Sequence, residues 1–235
     1  MLFGREKEIE KLTLNLERGI HTLVFGIEGA GKTALLQEVV SRSSKIRLAY
    51  IRECSSRRAL LEGALACLAA DRAKTATPRS ELLIMDLRDE LIRAGRHWNA
   101  CLILDHLPRL RHRMQHLLEI LEQYFTMIFA VRAHPGAYDL YYWKFDRLEV
   151  VKLPDAAARS WIERDLGQRG CAGPLGRAIA AEVQRLCLGN PGLISDTLDA
   201  IRNDAASLDD PIRVRRLFVD GRLSHLKIRH ASEHK

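Results

Sequence analysis

A glycine-rich segment between two apolar stretches constrains the fold of this chain more than any other feature. Its sequence is GIEGAGKT over residues 26–33, which matches the pattern G-x-x-x-x-G-K-[ST] at every fixed position. The apolar run His21–Phe25 precedes it, and Lys32–Ser43 carries apolar residues at helical spacing. The segment is therefore predicted to join a buried strand to the amino end of a helix.

The chemistry of such a loop explains why its spacing is fixed. Glycines let consecutive backbone N–H groups close around phosphate oxygens, and the following helix adds the positive end of its dipole. Lys32 is placed to reach the β- and γ-phosphates, and the Thr33 hydroxyl is a ligand for Mg²⁺. The predicted phosphate-binding residues are the loop and the position after it, namely Gly26, Ile27, Glu28, Gly29, Ala30, Gly31, Lys32, Thr33 and Ala34.

A phosphate loop of this kind also needs a carboxylate at the end of a buried strand, beside the γ-phosphate. Cys101–Leu104 is a continuous apolar run, and Asp105 follows it directly. An aspartate in this place either binds the water shell of Mg²⁺ or caps the next helix. The phosphate loop favours the first role, so Thr33 and Asp105 are the predicted metal ligands.

Strands and helices alternate through the first part of the chain, with predicted strands at 21–25, 46–51, 101–104, 127–131 and 148–153. This alternation predicts an α/β fold with a doubly wound, parallel, five-stranded sheet. Only helices are predicted after Pro154. The expected domains are a core over 1–153, a small all-α lid over 154–203 and a basic extension over 204–235. Within the extension, Asp220-Gly221 indicates either a hairpin turn or part of a helix that starts near Pro211.

The motifs resemble those of AAA+ ATPases of the initiator branch and of the neighbouring STAND and transposition-regulator ATPases, over about residues 3–203. Residues 26–33 and 102–105 look like the Walker A and Walker B motifs of those families. The opening Phe3-Gly4-Arg5-Glu6 is similar to a box that lies against adenine there, which implies a base contact for Arg5. The segment LGNPG over 188–192 is similar to a lid motif whose proline, here Pro191, contacts the base.

The resemblance implies ATP and Mg²⁺ as cofactors and two arginines with roles in hydrolysis. Arg132 ends a predicted strand where those families place a γ-phosphate sensor, and Arg147 lies just before the last predicted strand, where many members have an arginine finger for the neighbouring subunit. Alternatively, both arginines are solvent-exposed residues at the ends of strands without a role in hydrolysis. Length and layout are closest to the transposition regulators, because few residues follow the predicted lid for the winged helix that initiators use on DNA.

His106 departs from the pattern of these families, many of which have glutamate directly after the Walker B aspartate. A neutral imidazole polarises the attacking water less well than a carboxylate does. Three interpretations follow. Hydrolysis is slow with His106 in the catalytic position, another acid (Glu28, Asp86 or Glu90) orients the water, or His106 only fills space.

The charge of the chain favours anionic partners, because its formal net charge is +7. Seven cations face two anions between Pro211 and Lys235. The predicted nucleic-acid contacts are a loop cluster and a tail cluster, consisting of Arg72, Lys74 and Arg79 and of Arg213, Arg215 and Arg216. Counterion release from phosphates would drive such binding.

Three functions are consistent with these features. The first is a weakly hydrolysing ATPase that forms a homo-oligomer with ATP, associates with duplex DNA and works with a transposase or a target-selection factor. The second is a STAND-like nucleotide switch that controls a protein partner without nucleic acid, and the third is a non-hydrolysing scaffold.

The apolar runs, the cysteines and one pair of histidines give further expectations about location, redox state and metal binding. The longest apolar runs are too short for a membrane span, so a cytoplasmic protein is expected. The five widely spaced cysteines are expected to be reduced packing residues, and His112 and His116 are not expected to bind a metal.

Overall fold

The structure is a computed structural model that describes residues 4–43, 46–52, 54–68, 82–97, 100–107, 110–131, 140–171, 173–204 and 212–222. Its centre is a five-stranded sheet in which every strand pairing is parallel. The strand order is β2-β3-β4-β1-β5, and the strands are β1 (Thr22–Phe25), β2 (Arg47–Ile51), β3 (Ala100–Leu104), β4 (Thr126–Val131) and β5 (Asp146–Glu149). The predicted α/β fold with a parallel five-stranded sheet is confirmed.

The helices that accompany the sheet are α1 (Glu6–Glu17), α2 (Lys32–Arg42), α3 (Arg57–Leu68), α4 (Ile84–His97) and α5 (His112–Leu121), with a short 3₁₀ helix at Leu140–Lys144. Strands β1 and β3 are buried along their whole length, which explains why both are continuous apolar runs in the sequence. The Asp86 carboxylate accepts a hydrogen bond from the Leu83 amide at 3.0 Å and so caps the first turn of α4.

The last strand differs from its prediction at both ends. It was expected at 148–153, whereas β5 spans Asp146–Glu149. Its start is fixed by the Asp146 carboxylate, which accepts hydrogen bonds from Asn15 and Lys11 of α1 at 2.7 and 3.0 Å. These contacts hold the pKa of Asp146 below its usual value against the opposing effect of burial. Arg147 therefore lies inside the edge strand, paired in register with Leu23, rather than just before the strand.

The chain contacts divide into two compact units, one of Met1–Ile27 with Lys32–Val150 and one of Glu28–Gly31 with Val151–Lys235. The second unit contains α6 (Asp155–Gln168), α7 (Pro174–Cys187) and α8 (Pro191–Asn203). A further helix, α9, covers residues 212–222. Asp220-Gly221 is therefore helical, which excludes the hairpin alternative. The domain limits proposed at residues 153 and 203 stay predictions.

Helix α9 belongs to the core of the second unit. Its Val214 is fully buried in the same apolar cluster as Ile162, Val183 and Leu198. Glu182 of α7 accepts hydrogen bonds from Arg185 and from Arg215 of α9. The two guanidinium groups lower the pKa of Glu182 to about 2.

Candidate functional site

The glycine-rich loop connects the buried end of β1 to the first residue of α2, as the sequence predicts. Gly26 and Gly29 have positive φ angles of 151° and 77°. A Cβ atom at Gly26 would lie 2.2 Å from the carbonyl oxygen of Val150, which is far inside contact distance. The loop therefore has a backbone shape that only glycine permits at its start.

Lys32 lies over its own loop. Its ammonium donates hydrogen bonds to the carbonyl oxygens of Gly26 and Ile27 at 2.6 and 2.9 Å. Lys32 is also the first residue of α2, so the ammonium and the amino end of the helix dipole concentrate positive charge at the same place. This arrangement suits the β- and γ-phosphates of a nucleotide.

The tip of the loop, Glu28–Gly31, belongs to the second unit and contacts the start of α8. The Asn190 side chain caps α8 by accepting from the amides of Gly192 and Leu193 at 3.0 and 3.3 Å. The same side chain donates through Nδ2 to the Glu28 carbonyl at 3.0 Å, and the Gly192 amide donates to the Gly29 carbonyl at 2.8 Å. We call these two contacts the loop–α8 link.

The loop–α8 link is closely packed. A Cβ atom on Gly29 would lie 2.5 Å from Asn190 Oδ1, so only glycine fits at this position of the tip. Pro191, for which the resemblance implies a base contact, lies against Gly31, whose added Cβ would be 3.8 Å from the proline ring. The tip also forms one wall of a cavity of about 710 Å³ whose other walls belong to α8 and α9.

Asp105 follows the carboxyl end of β3 and is almost completely buried, with 1% of its surface exposed. Its amide donates to the carbonyl of Ile51 at 2.9 Å, which continues the β2–β3 ladder by one residue. The Tyr50 hydroxyl donates to Oδ2 at 2.8 Å, and the amide of His106 donates to Oδ1 at 2.9 Å. Burial, followed by the hydrogen bond to Asp105, raises the pKa of Tyr50, so its hydroxyl stays a donor to Asp105 above the pH at which an exposed tyrosine ionises.

His106 lies between the two predicted metal ligands. Its Nε2 is 3.5 Å from the Thr33 hydroxyl and 3.9 Å from Oδ2 of Asp105. The residue has a φ of 52°, in the left-handed region that few non-glycine residues adopt and in which histidine, like asparagine and aspartate, is enriched. The fold thus brings Thr33, Asp105 and His106 together.

These residues fit a nucleotide with Mg²⁺ by the chemistry of their donor atoms. A hydroxyl oxygen and a carboxylate oxygen are hard ligands of the kind that Mg²⁺ prefers, together with phosphate and water oxygens. A cation held there would neutralise charge that develops on the phosphate oxygens during transfer. Thr33 and Asp105 would bind it, and Lys32 and the loop amides would hold the phosphates.

The other predicted site residues have varied surroundings. Arg5 is 2% exposed, lies just before α1 and pairs with Glu8 at 2.7 Å. Arg147 is an exposed residue of an edge strand. Asp86, one alternative acid for water activation, caps α4. Four predicted residues lie outside the described residues, and they are Arg72, Lys74, Arg79 and Arg132.

The tail cluster is partly neutralised by carboxylates. Arg213 pairs with Asp204 at 2.8 Å, and Arg215 pairs with Glu182. Arg216 is exposed, and the described part of the chain gives it no ion pair. Of the three tail arginines, Arg216 is therefore the most accessible to an anionic partner.

Two residues of the site were missed by the sequence reasoning. Tyr50 could be recognised only from the strand order, because a tyrosine in an edge strand carries no motif. Asn190 lies inside the segment LGNPG, and an asparagine directly before proline is a signal for a helix cap that could have been used.

The remaining expectations concern metals, cysteines and membranes. All five cysteines are free thiols. The described residues contain no group of three or more His, Cys, Asp or Glu side chains that could hold a metal ion, so the pair His112 and His116 has no third ligand of these types there. Within the same residues, every helix is too short or too polar to cross a bilayer.

The parallel sheet, the glycine-rich loop and the carboxylate after β3 together define a P-loop NTPase. The family model described as novel STAND NTPase 6 matches residues 2–131, so the chain belongs to this family. No curated protein matches the chain.

Solved structures with the same fold have low sequence identity to this chain. A Walker-type ATPase of Pyrococcus abyssi is 17% identical with a TM-score of 0.68, and the alignment covers 97% of this chain and 76% of that one. A STAND protein of Pyrococcus horikoshii with a tetratricopeptide repeat sensor is 14% identical with a TM-score of 0.57, covering 84% of this chain and 30% of that one. Drosophila ORC bound to DNA is 18% identical with a TM-score of 0.59, covering 95% and 67%.

Proposed function

We propose that the chain is an ATP-dependent conformational switch of the STAND type, in which the phosphates bound by residues 26–33 control α8 and, through it, a protein partner. The observation that carries this proposal is the loop–α8 link. Two consecutive carbonyl groups of the loop tip, those of Glu28 and Gly29, accept hydrogen bonds from Asn190 and from the amide of Gly192.

The geometry of the peptide bond supports a mechanical connection. Each peptide unit is planar, so the carbonyl of Glu28 and the N–H of Gly29 turn together, as do the carbonyl of Gly29 and the N–H of Ala30. Phosphate binding orients the N–H groups of such a loop. The same rotation reorients the carbonyls that hold the start of α8. Phosphate binding at the loop can therefore change the position of the start of α8.

Slow hydrolysis suits a switch, and the site supports it. The imidazole of His106 lies near Thr33 and Asp105 in place of a glutamate. A neutral imidazole is a weaker general base than a carboxylate held near Mg²⁺, so the ATP-bound state is expected to be long-lived.

Assembly into a homo-oligomer is a further part of the proposal. Arg147 lies in the amino-terminal half of β5 and is exposed, whereas the phosphate loop follows the carboxyl end of β1. An arginine in this position suits a contact with the nucleotide of a neighbouring subunit better than a contact with its own. Arginine fingers act in this way in other phosphoryl-transfer proteins.

A DNA-associated regulator, as in transposition-regulator ATPases, is the second candidate function. It is favoured by the net charge of +7, by the exposed Arg216 and by the shared fold with Drosophila ORC bound to DNA. It ranks second because Arg213 and Arg215 already pair with carboxylates. The switch is favoured by membership of a STAND family and by the likeness to a STAND protein that carries a repeat sensor.

Hydrogen exchange measured by mass spectrometry tests the switch. The protein is compared without nucleotide, with ADP and with ATP, and peptides covering α8 are followed. We expect bound nucleotide to change exchange in α8, because phosphate reorients the tip, and we expect ATP and ADP to differ because only ATP carries a γ-phosphate for Lys32. Helix α6 serves as the internal control. Identical exchange in α8 with both bound nucleotides would contradict the proposal.

A further inference from the structure

Tyr50 is placed on the same face of the sheet as Asp105 by the register of β2 and β3. Tyr50 pairs with Ile103, and Asp105 follows two residues later. Side chains alternate between faces along a strand, so Ile103 and Asp105 point to the same face, and the parallel partner Tyr50 points there too. The 2.8 Å hydrogen bond from the tyrosine hydroxyl to Oδ2 of Asp105 is the result.

The two oxygens of Asp105 each receive one donor from the protein. Oδ2 accepts from Tyr50, and Oδ1 accepts from the amide of His106. The donor to Oδ1 is a backbone amide, whereas the donor to Oδ2 is the side chain of Tyr50. A carboxylate has about four lone-pair sites, which leaves sites on both oxygens for the water shell of a cation. Two donors on opposite oxygens fix the rotation of the carboxylate about its terminal bond.

Tyr50 also connects to the helix that carries Thr33. Gln37 of α2, one turn along the helix from Thr33, lies near the Tyr50 hydroxyl and acts against the rise in the Tyr50 pKa that burial causes. Tyr50 therefore lies between Asp105 and the helix that begins beside Thr33. A change at Tyr50 is expected to act on the relative position of Thr33 and Asp105.

We propose that Tyr50 is a positioning residue that orients the Asp105 carboxylate for Mg²⁺ and so makes nucleotide binding depend on the cation. The inference rests on the proposed function only through the assignment of Asp105 to Mg²⁺. Tyr50 contacts neither nucleotide nor cation in this account, and it acts entirely through Asp105.

The test uses Tyr50→Phe and equilibrium binding of a fluorescent ADP analogue, measured in EDTA and across a Mg²⁺ titration. Binding in EDTA is expected to stay within about twofold of wild type, because the phosphate loop is unchanged. The Mg²⁺ concentration that gives half of the enhancement is expected to rise about tenfold, the effect of losing a hydrogen bond to a charged group. Tyr124→Phe is the matched control, because the Tyr124 hydroxyl accepts a long contact from Arg96 at 3.4 Å and makes no hydrogen bond to a carboxylate of the described residues.

A double-mutant cycle with Asp105→Asn separates positioning from a general structural effect. If Tyr50 acts through Asp105, Tyr50→Phe changes the Mg²⁺ response of wild type but has no further effect in the Asp105→Asn protein. Three results would each overturn the inference while leaving the switch proposal intact. They are an unchanged Mg²⁺ response in Tyr50→Phe, an equal loss of nucleotide affinity in EDTA and in Mg²⁺, and full additivity of the two substitutions in the cycle. A wild-type protein whose nucleotide binding ignores Mg²⁺ would overturn both this inference and the metal assignment.

Discussion

The substitution Asn190→Asp tests the loop–α8 link without removing the helix cap. An aspartate keeps the acceptor oxygen for the amides of Gly192 and Leu193, so the start of α8 stays capped. It replaces the Nδ2 donor, which bonds the Glu28 carbonyl at 3.0 Å, by an oxygen. The change therefore removes one hydrogen bond and places a carboxylate oxygen next to the Glu28 carbonyl oxygen, where the two acceptors repel each other.

The expected magnitude follows from these two effects. A lost hydrogen bond costs about 0.5–1.5 kcal/mol net, and the facing oxygens at a partly exposed position raise the total to about 1–2 kcal/mol. Since about 1.4 kcal/mol corresponds to a tenfold change in an equilibrium constant, exchange of the first turns of α8 should be roughly five to thirty times faster.

Hydrogen exchange by mass spectrometry on peptides from the start of α8 measures this effect in the protein without nucleotide. Asn203→Asp introduces the same chemical change at the last residue of α8 and serves as the control. The difference in α8 exchange between ATP and ADP should also shrink in Asn190→Asp. Exchange within twofold of wild type, or an undiminished difference between nucleotides, would refute the reasoning.

Three further predictions concern hydrolysis, assembly and DNA. ATP turnover by wild type should lie well below the roughly 1–100 s⁻¹ of kinases, and His106→Glu should raise it in a steady-state phosphate assay. Fast turnover by wild type that His106→Glu slows would contradict the assignment. Arg147→Ala should leave ATP affinity nearly intact while it lowers hydrolysis or ATP-dependent oligomerisation in light scattering; a wild type that stays monomeric with ATP, with and without DNA, would exclude the finger role. If DNA is a partner, Arg216→Ala should reduce the slope of log K against log[salt] by about 0.9 in a polarisation assay on duplex DNA. Absence of duplex binding by wild type at about 0.1 M salt would exclude the DNA-associated regulator.

The fold was predictable where burial imposed a simple pattern. Strands β1 and β3 are buried along their length, so they are continuous apolar runs in the sequence. Strand β5 is an edge strand with alternating exposure, and its start depends on Lys11 and Asn15 of a distant helix. A local pattern does not contain that information, which is why the strand was predicted too late in the chain.

The candidate site was predictable where a fixed spacing encodes the chemistry. The loop 26–33 and Asp105 follow from spacing and from the end of an apolar run. Tyr50 and the loop–α8 link depend on which strand or helix lies beside which, and that follows only from the three-dimensional arrangement. The predicted base contacts of Arg5 and Pro191 stay predictions.

Equilibrium binding of ATP to wild type and to Lys32→Ala, measured by titration calorimetry in the presence of Mg²⁺, tests the central claim most directly. Lys32 holds its ammonium over the loop and is placed to make charge-assisted hydrogen bonds to two phosphates. Losing about 3 kcal/mol of such interactions should weaken ATP binding by at least about a hundredfold. ATP affinity in Lys32→Ala equal to that of wild type would contradict the assignment of residues 26–33 as the nucleotide site.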